Sequence, residues 1–251
     1  MSSTVHVLCL KWGRRYGPEY VNILAASVRR HLRRPYRFHC CTDDPTGLAG
    51  GIHVIPFPEN PGIRRGWPDI LVKVVVTRDG FGGLDGPTLF LDLDVVIMGS
   101  LDELFDHAPG RPVMIHNWVG AHKALLGLRP PAGNSSVFRF EAGASNYVFE
   151  KLLAEGLRAE DRSIFNGDQE FLTYAFRDLA WWPETWVRSF KRHCRPVFPL
   201  NLWLPPKPPK DCRVLVFHGR PDPPEAIAGW RDRKLHRRTR PAPWIAEHWR
   251  E

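Results

Sequence analysis

The segment that most restricts the fold is residues 89–98, Leu-Phe-Leu-Asp-Leu-Asp-Val-Val-Ile-Met, an apolar run broken only by Asp92 and Asp94. A run of this composition belongs inside a sheet covered on both faces. A carboxylate buried there without a partner costs several kcal/mol, so both acids need one. Read as one extended strand, the run puts them on the same side, about 6 to 7 Å apart along the backbone. That spacing suits the organisation of a single divalent cation. It also falls at the carboxyl end of a strand, where open α/β sheets bind ligands. The competing reading pairs one or both acids with arginines in a structural network.

The flanking sequence supports a parallel α/β sheet. Residues 4–10 form an apolar run suited to a buried strand, followed by a loop at 11–17 and by Pro18 at a helix start. Val21, Leu24, Ala25, Val28 and Leu32 have the spacing of one buried helical face, with Arg29, Arg30 and Arg33 left for solvent. Residues 36–42 and 52–55 read as the next strands, and strand, helix, strand implies parallel pairing. Residues 69–77 stay open between strand and helix, because a β-branched run occupies a helix's place in the order. Ser100 and Glu103 have the spacing of a capping box. Further strands are expected at 113–116, 135–140 and 214–217, and helices near 145–157 and 169–176. Trp181, Trp182 and Trp186 fit either a packed core or a surface that stacks on a sugar face.

The chain has 251 residues, 43% hydrophobic and 25% charged, which fits one globular domain. The simplest division is residues 1–220 as that domain and 221–251 as a Pro-rich, basic extension. The net charge of +8 is concentrated. Residues 231–240 hold six Lys and Arg against the single acid Asp232. Such a cluster attracts an anionic membrane or nucleic acid, or is simply solvated. Five cysteines form no CxxC pair, no run approaches the roughly 20 apolar residues of a membrane span, and a signal-peptide order is missing. The expectation is a cytoplasmic protein without disulfides or a zinc site, with peripheral contact at the inner membrane face through its basic segment.

Several motifs together resemble the GT-A glycosyltransferases, especially the glycogenin-like and lipopolysaccharide-galactosyltransferase-like group. They are the N-terminal strand, loop and helix, the Phe-Leu-Asp-Leu-Asp-Val-Val of residues 90–96, Asn134 with Ser135, Gly167-Asp168-Gln169, and Phe217-His218-Gly219. The chain is also similar to predicted bacterial glycosyltransferases carrying comparable stretches at Lys11-Trp12, 134–140 and 189–193. The resemblance implies a Rossmann-like nucleotide-sugar transferase domain with a mostly parallel sheet. It implies that Asp94 binds a metal directly, that Asp92 touches the metal or the ribose, and that His218 is the third ligand. Two carboxylates and an imidazole suit Mn²⁺ better than Mg²⁺, though either would serve.

The donor implied is a nucleotide-sugar, a UDP-sugar before others, and the acceptor a glycan or lipid-linked glycan of a bacterial surface polysaccharide. A retaining outcome goes with the late histidine in the similar families. Gly219 is followed by Arg220 rather than lysine, so either Arg220 or Lys191 would sit near a phosphate. Asp168 resembles the acid beside the transferred sugar, but equally suits the N-cap of its helix. Asn134 would bond the donor sugar or form a turn. Lys11 and Trp12 stand where a base or diphosphate is held, without any phosphate-loop fingerprint. Lys73, the only charge in residues 70–76, either reaches the donor or snorkels to the surface.

Two rivals belong to other classes. In a haloacid-dehalogenase-type phosphatase Asp92 would be the nucleophile and Asp94 the general acid. That motif normally lies on an opening strand, and the downstream acidic pair is missing. A membrane- or nucleic-acid-binding module driven by residues 231–240 leaves the acids of residues 92 and 94 unexplained.

Overall fold

The computed structural model describes residues 4–61, 71–118, 132–159, 161, 164, 165 and 167–251. Its centre is a seven-stranded sheet in the order β3-β2-β1-β4-β7-β6-β8. The strands are β1 (Val5–Lys11), β2 (Tyr36–Thr42), β3 (His53–Pro56), β4 (Gly86–Leu91), β6 (Val113–His116), β7 (Gly133–Ala142) and β8 (Ala180–Trp181). β3, β2, β1 and β4 run parallel, and β8 runs parallel to β6. β7 is antiparallel to both its neighbours, β4 and β6. The mostly parallel α/β sheet expected from the sequence is present, with β7 as its reversed strand.

Helix α1 (Pro18–His31) starts on Pro18, carries Glu19 in its first turn and ends on Arg29, Arg30 and His31, so its charges complement its dipole. Val21, Leu24 and Val28 face one side of the sheet, packing with Val7, Leu89 and Leu91. Each such side chain, fully buried, contributes about 1.5 to 3 kcal/mol. The other face is covered by α2 (Val72–Val75), α4 (Asn146–Glu155) and α5 (Asp168–Ala175), which pack Val74, Val148, Leu152, Phe171 and Leu172 on Phe90 and Phe138.

Residues 89–98 are not one strand. The chain turns at Asp92, Leu93 and Asp94, and resumes as β5 (Val95–Ile97) in a second sheet of order β5-β10-β9, with β9 (Val187–Ser189) and β10 (Val214–Val216). Val95–Ile97 stays apolar because this second sheet is buried too. In the open segment 69–77 the described part is helical. α2 keeps its β-branched residues because Val72, Val74 and Val75 are buried against neighbouring helices; residues 69 and 70 lie outside the described residues.

The capping box is not formed. Helix α3 (Asp102–Asp106) receives a bond from the Asp102 amide to Ser100 Oγ at 3.2 Å, but Glu103 turns to Arg213 Nε at 2.6 Å. A guanidinium offers a carboxylate a stronger partner than one amide does. Trp182 is buried, donating its indole N–H to the Val137 carbonyl at 3.1 Å, while Trp181 and Trp186 pack at the edges of the two main clusters. All five cysteines are buried and free. No described helix is long and apolar enough to cross a membrane.

Residues 221–251 contribute α6 (Pro223–Ala228), capped reciprocally by Asp222 and Glu225, and a third cluster in which Ala226, Ala242 and Ile245 meet Phe190, Leu215 and Phe217. Arg30, expected in solvent, instead donates to the carbonyls of His248 and Arg250 at 3.0 and 2.8 Å. Ser27 Oγ adds a bond to the His248 carbonyl, and Tyr20 packs edge-on against Trp249. The outer face of α1 is thereby covered by residues 248–250.

Candidate active site

β1 and β4 are parallel neighbours, so their carboxyl ends open side by side into the 12–17 loop and the 92–94 turn. β10 runs antiparallel to β5 with Val216 opposite Val95, and the Phe217 amide donates to the Asp94 carbonyl at 3.2 Å. His218 therefore leaves its strand at the same end as the two acids. From the far side, β7 presents Ser135 and Ser136, and the Asp92 amide donates to the Ser136 carbonyl at 2.9 Å.

Lys73, rising from α2, joins these elements. Its Nζ lies 2.6 Å from Asp92 Oδ1 and 3.8 Å from Asp168 Oδ2, and 5.3 Å from the Phe90 ring centroid. Ser135 Oγ donates to Asp168 Oδ2 at 2.5 Å. Burial lowers the Lys73 pKa, but Asp92 and then Asp168 outweigh it and the net shift is upward, so the ammonium stays charged. Burial raises the Asp168 pKa, with Lys73 and the Ser135 hydroxyl opposing. Lys73 therefore does not snorkel to the surface but turns to the acids. Asp168 is not the N-cap of α5; Gly167 is, and the carboxylate turns to Lys73 and Ser135 instead.

Asp94 is only 8% exposed, and its one hydrogen-bond donor among the described side chains is the Tyr16 hydroxyl, at 3.1 Å. Burial first, and the charge of Asp92 second, push it up to about 7. Near neutral pH this acid is thus poised between its two forms, unlike an ordinary carboxylate.

His218 bonds through Nε2 with Ser189 Oγ at 2.7 Å and stacks on Trp118. Burial, reinforced by Lys191 and Arg192, drops it to about 4, so the ring is neutral at physiological pH. Lys191, on a helical turn at Phe190–Cys194, donates Nζ to the His218 carbonyl. The same Nζ would lie 3.7 Å from a Cβ on Gly219, whose φ of +63° is in the left-handed region that favours glycine. Arg220 turns away, paired with Glu225 and resting on the Trp230 ring. Between the two cations left open by the sequence, Lys191 is the one beside His218 and Gly219.

The remaining expected residues are less concentrated. Lys11 is buried with Nζ on the Asp44 carbonyl at 3.0 Å, and Trp12 is exposed next to Phe57. Asn134 lies within β7 opposite Ile115 rather than in a turn, and its Oδ1 accepts the Ser136 amide at 3.0 Å. Tyr16, Ser189 and Trp118 were not anticipated. A tyrosine in a loop and a serine at a strand end leave no periodic trace.

No protein-family model matches the chain, and neither does any curated protein. Solved structures do. LgtC, a galactosyltransferase crystallised with donor and acceptor sugar analogs, superposes with a TM-score of 0.60 over 87% of this chain and 88% of its own, at 16% identity. WbbM, a bifunctional glycosyltransferase, gives 0.62 over 89% of this chain and 47% of its own, at 14% identity. The fold is that of a GT-A glycosyltransferase. GlyE of Streptococcus pneumoniae, in its apo form, has the same GT-A fold at a TM-score of 0.55, covering 88% of this chain and 56% of its own, at 15% identity. At these identities the likeness is one of architecture.

Within this GT-A fold the phosphatase reading loses its footing, since the Asp92 turn follows the fourth strand in chain order rather than an opening one. The residues present also bear on a metal. Lys73 pairs with Asp92 and Asp168, and Asp94 lies near enough to feel the charge of Asp92; these are hard oxygen donors of the kind that Mn²⁺ or Mg²⁺ takes. Among the described residues no three His, Cys, Asp or Glu side chains are gathered as a ready metal cluster. The imidazole of His218 is held by Ser189 and would have to leave it to join the acids.

Proposed function

We propose that the chain transfers a sugar from a nucleotide-sugar donor, a UDP-sugar before others, to a hydroxyl of a glycan or lipid-linked acceptor in bacterial surface polysaccharide synthesis. The observation that carries this reading is the lysine-bridged carboxylate set at the carboxyl ends of β1 and β4 in a GT-A fold. Asp92 and Asp94, with His218 as a third ligand, would hold Mn²⁺ or Mg²⁺. When bound, that cation supplies positive charge to the diphosphate as it departs.

The chain's own residues supply the rest. Lys73 holds Asp92 and Asp168 in fixed positions, so neither carboxylate has to reorganise when the donor enters. Ser135 fixes the orientation of Asp168, which stands beside the transferred sugar in this reading. Lys191, already directed at the His218 carbonyl next to Gly219, offers its ammonium to a phosphate oxygen. In this reading Lys11 and Trp12 would meet the nucleotide and Asn134 the donor sugar. Retention of the anomeric configuration follows the similar families with this late histidine.

Thermal-shift measurements with UDP, GDP, CDP and dTDP, each with and without Mn²⁺, test the reading. A ligand bound at a hundred times its Kd stabilises the folded state by about 2.7 kcal/mol. UDP is expected to raise the melting temperature only when Mn²⁺ is present. No shift with any of the four, with or without metal, overturns the proposal.

A further inference from the structure

The turn that carries Lys191 leads directly into a feature with no part in donor binding. Residues 195–206 form a compact knob whose backbone is closed on itself. The Asn201 amide donates to the Val197 carbonyl, Leu202 to Pro199, and Trp203 and Leu204 to Leu200, at 2.9 to 3.2 Å. Its base is tied by the Lys207 amide to the Cys194 carbonyl and by the Trp244 indole to the Pro206 carbonyl. Asn201, 1% exposed, serves as its post, donating to the carbonyls of Leu235 and Arg238.

On this ordered frame the apolar side chains point outward. Val197 is 76% and Trp203 67% exposed, and Phe198, Leu200, Leu204 and the neighbouring Leu235 are all exposed as well. An ordered loop normally turns such side chains inward, and contiguous apolar patches on soluble proteins mark interaction sites. The surroundings are cationic. Residues 186–210 contain six Lys and Arg and no acid, and the 235–237 turn that packs on the knob belongs to the basic segment 231–240. Arg195 reaches across to the Arg237 carbonyl and joins the two segments.

We propose that this knob inserts into the interfacial region of an anionic lipid bilayer, with the basic segment 231–240 lying on the headgroups. Exposed Trp, Phe and Leu ringed by Lys and Arg is the composition that seats a protein in a membrane interface. The net positive charge, broken in residues 231–240 only by Asp232, is attracted to an anionic surface and gains no such attraction from a zwitterionic one. This extends the basic-segment contact expected from the sequence to a specific apolar anchor some residues upstream. Because the knob follows directly on the turn that carries Lys191, a lipid-linked acceptor in that bilayer would enter at the rim of the site, a consequence that rests on the transferase reading.

Flotation of the full chain with vesicles of phosphatidylcholine alone, and of phosphatidylcholine mixed with phosphatidylglycerol, tests the anchor. Binding to the anionic vesicles is expected, with at least about a tenfold loss for Phe198→Ser combined with Trp203→Ser. A loss of similar size is expected for Arg233→Gln, Lys234→Gln and Arg237→Gln together, at about the same order. Melting temperature and nucleotide-induced shifts should be unchanged in both, since these side chains are exposed and away from the acids; that readout separates failure of the anchor from failure of the transferase reading. Three results overturn the proposal. One is wild-type protein that ignores anionic vesicles, including the case in which it binds polynucleotide instead. Another is a serine variant that floats as well as the wild type. The third is a wild-type dimer that the serine substitutions convert to monomer, which would assign the knob to a second copy of this chain.

Discussion

Arg139 and Asp94 are both buried charges near the middle of the molecule, and they are treated in opposite ways. Arg139, 1% exposed, donates to four backbone carbonyls: Leu104 and Phe105 in α3, then Ala108 and Arg111 beyond it, at 2.6 to 3.1 Å. It fills the orphan acceptors at the carboxyl end of α3, where the helix dipole favours a cation. Asp94 has one neutral donor and a like charge beside it. Four fixed carbonyl dipoles hold the Arg139 guanidinium, with only Nε left unpartnered, whereas Asp94 has a single neutral donor and keeps lone pairs open to a ligand.

Removing the dipole-held charge should have the largest effect on folding. Arg139→Met leaves four carbonyls without their donor and is expected to cost about 3 to 5 kcal/mol in denaturant unfolding. Lys73→Met is intermediate. It strands Asp92 and Asp168 without their cation, and because both keep some solvent the expected cost is about 2 to 3 kcal/mol at neutral pH, shrinking in acid as the carboxylates protonate.

Asp94→Asn should change stability least and transfer most, with activity falling on the order of a hundredfold or more. Its stability effect has a sign that pH reveals. The folded chain holds the Asp94 proton up to about 7, whereas the unfolded chain releases it near the ordinary value of about 4. The folded state binds the extra proton across that window, so this group's contribution to stability declines as pH rises from about 4 to 7. The asparagine variant should lack that decline, seen as a flatter plot of unfolding free energy against pH. An identical slope in both proteins would place the proton elsewhere.

The strands at 36–42 and 113–116 were legible to the residue, because each is a short run of residues that only a buried sheet accommodates, bounded by turn formers. α1 was legible from its period. Residues 89–98 misled because the turn at 92–94 contains no Gly or Pro, and because the second half is apolar for a different sheet, built from β9 and β10 far along the chain. β8 and β9, two and three residues long, are too short to carry a pattern. At the site, Asp92, Asp94 and Lys73 were visible as charges in apolar runs, and Asp168 through the resemblance carried by Gly167-Asp168-Gln169. Their joining through one lysine was not, since α2, the 92–94 turn and α5 meet only once the sheet has assembled. Tyr16 escaped notice for the same reason: what makes it matter is the acid opposite.

The bonds from Ser27 and Arg30 to the carbonyls of residues 248 and 250 also set a timetable for synthesis. One of them spans 220 positions in sequence, so at about 5 to 20 residues per second α1 waits roughly 10 to 45 s after leaving the ribosome for the partners of its outer face. Until then Ser27, Arg30 and the ring of Tyr20 are uncovered on a helix that is otherwise complete, an opening on which a nascent-chain chaperone can act before residue 250 emerges.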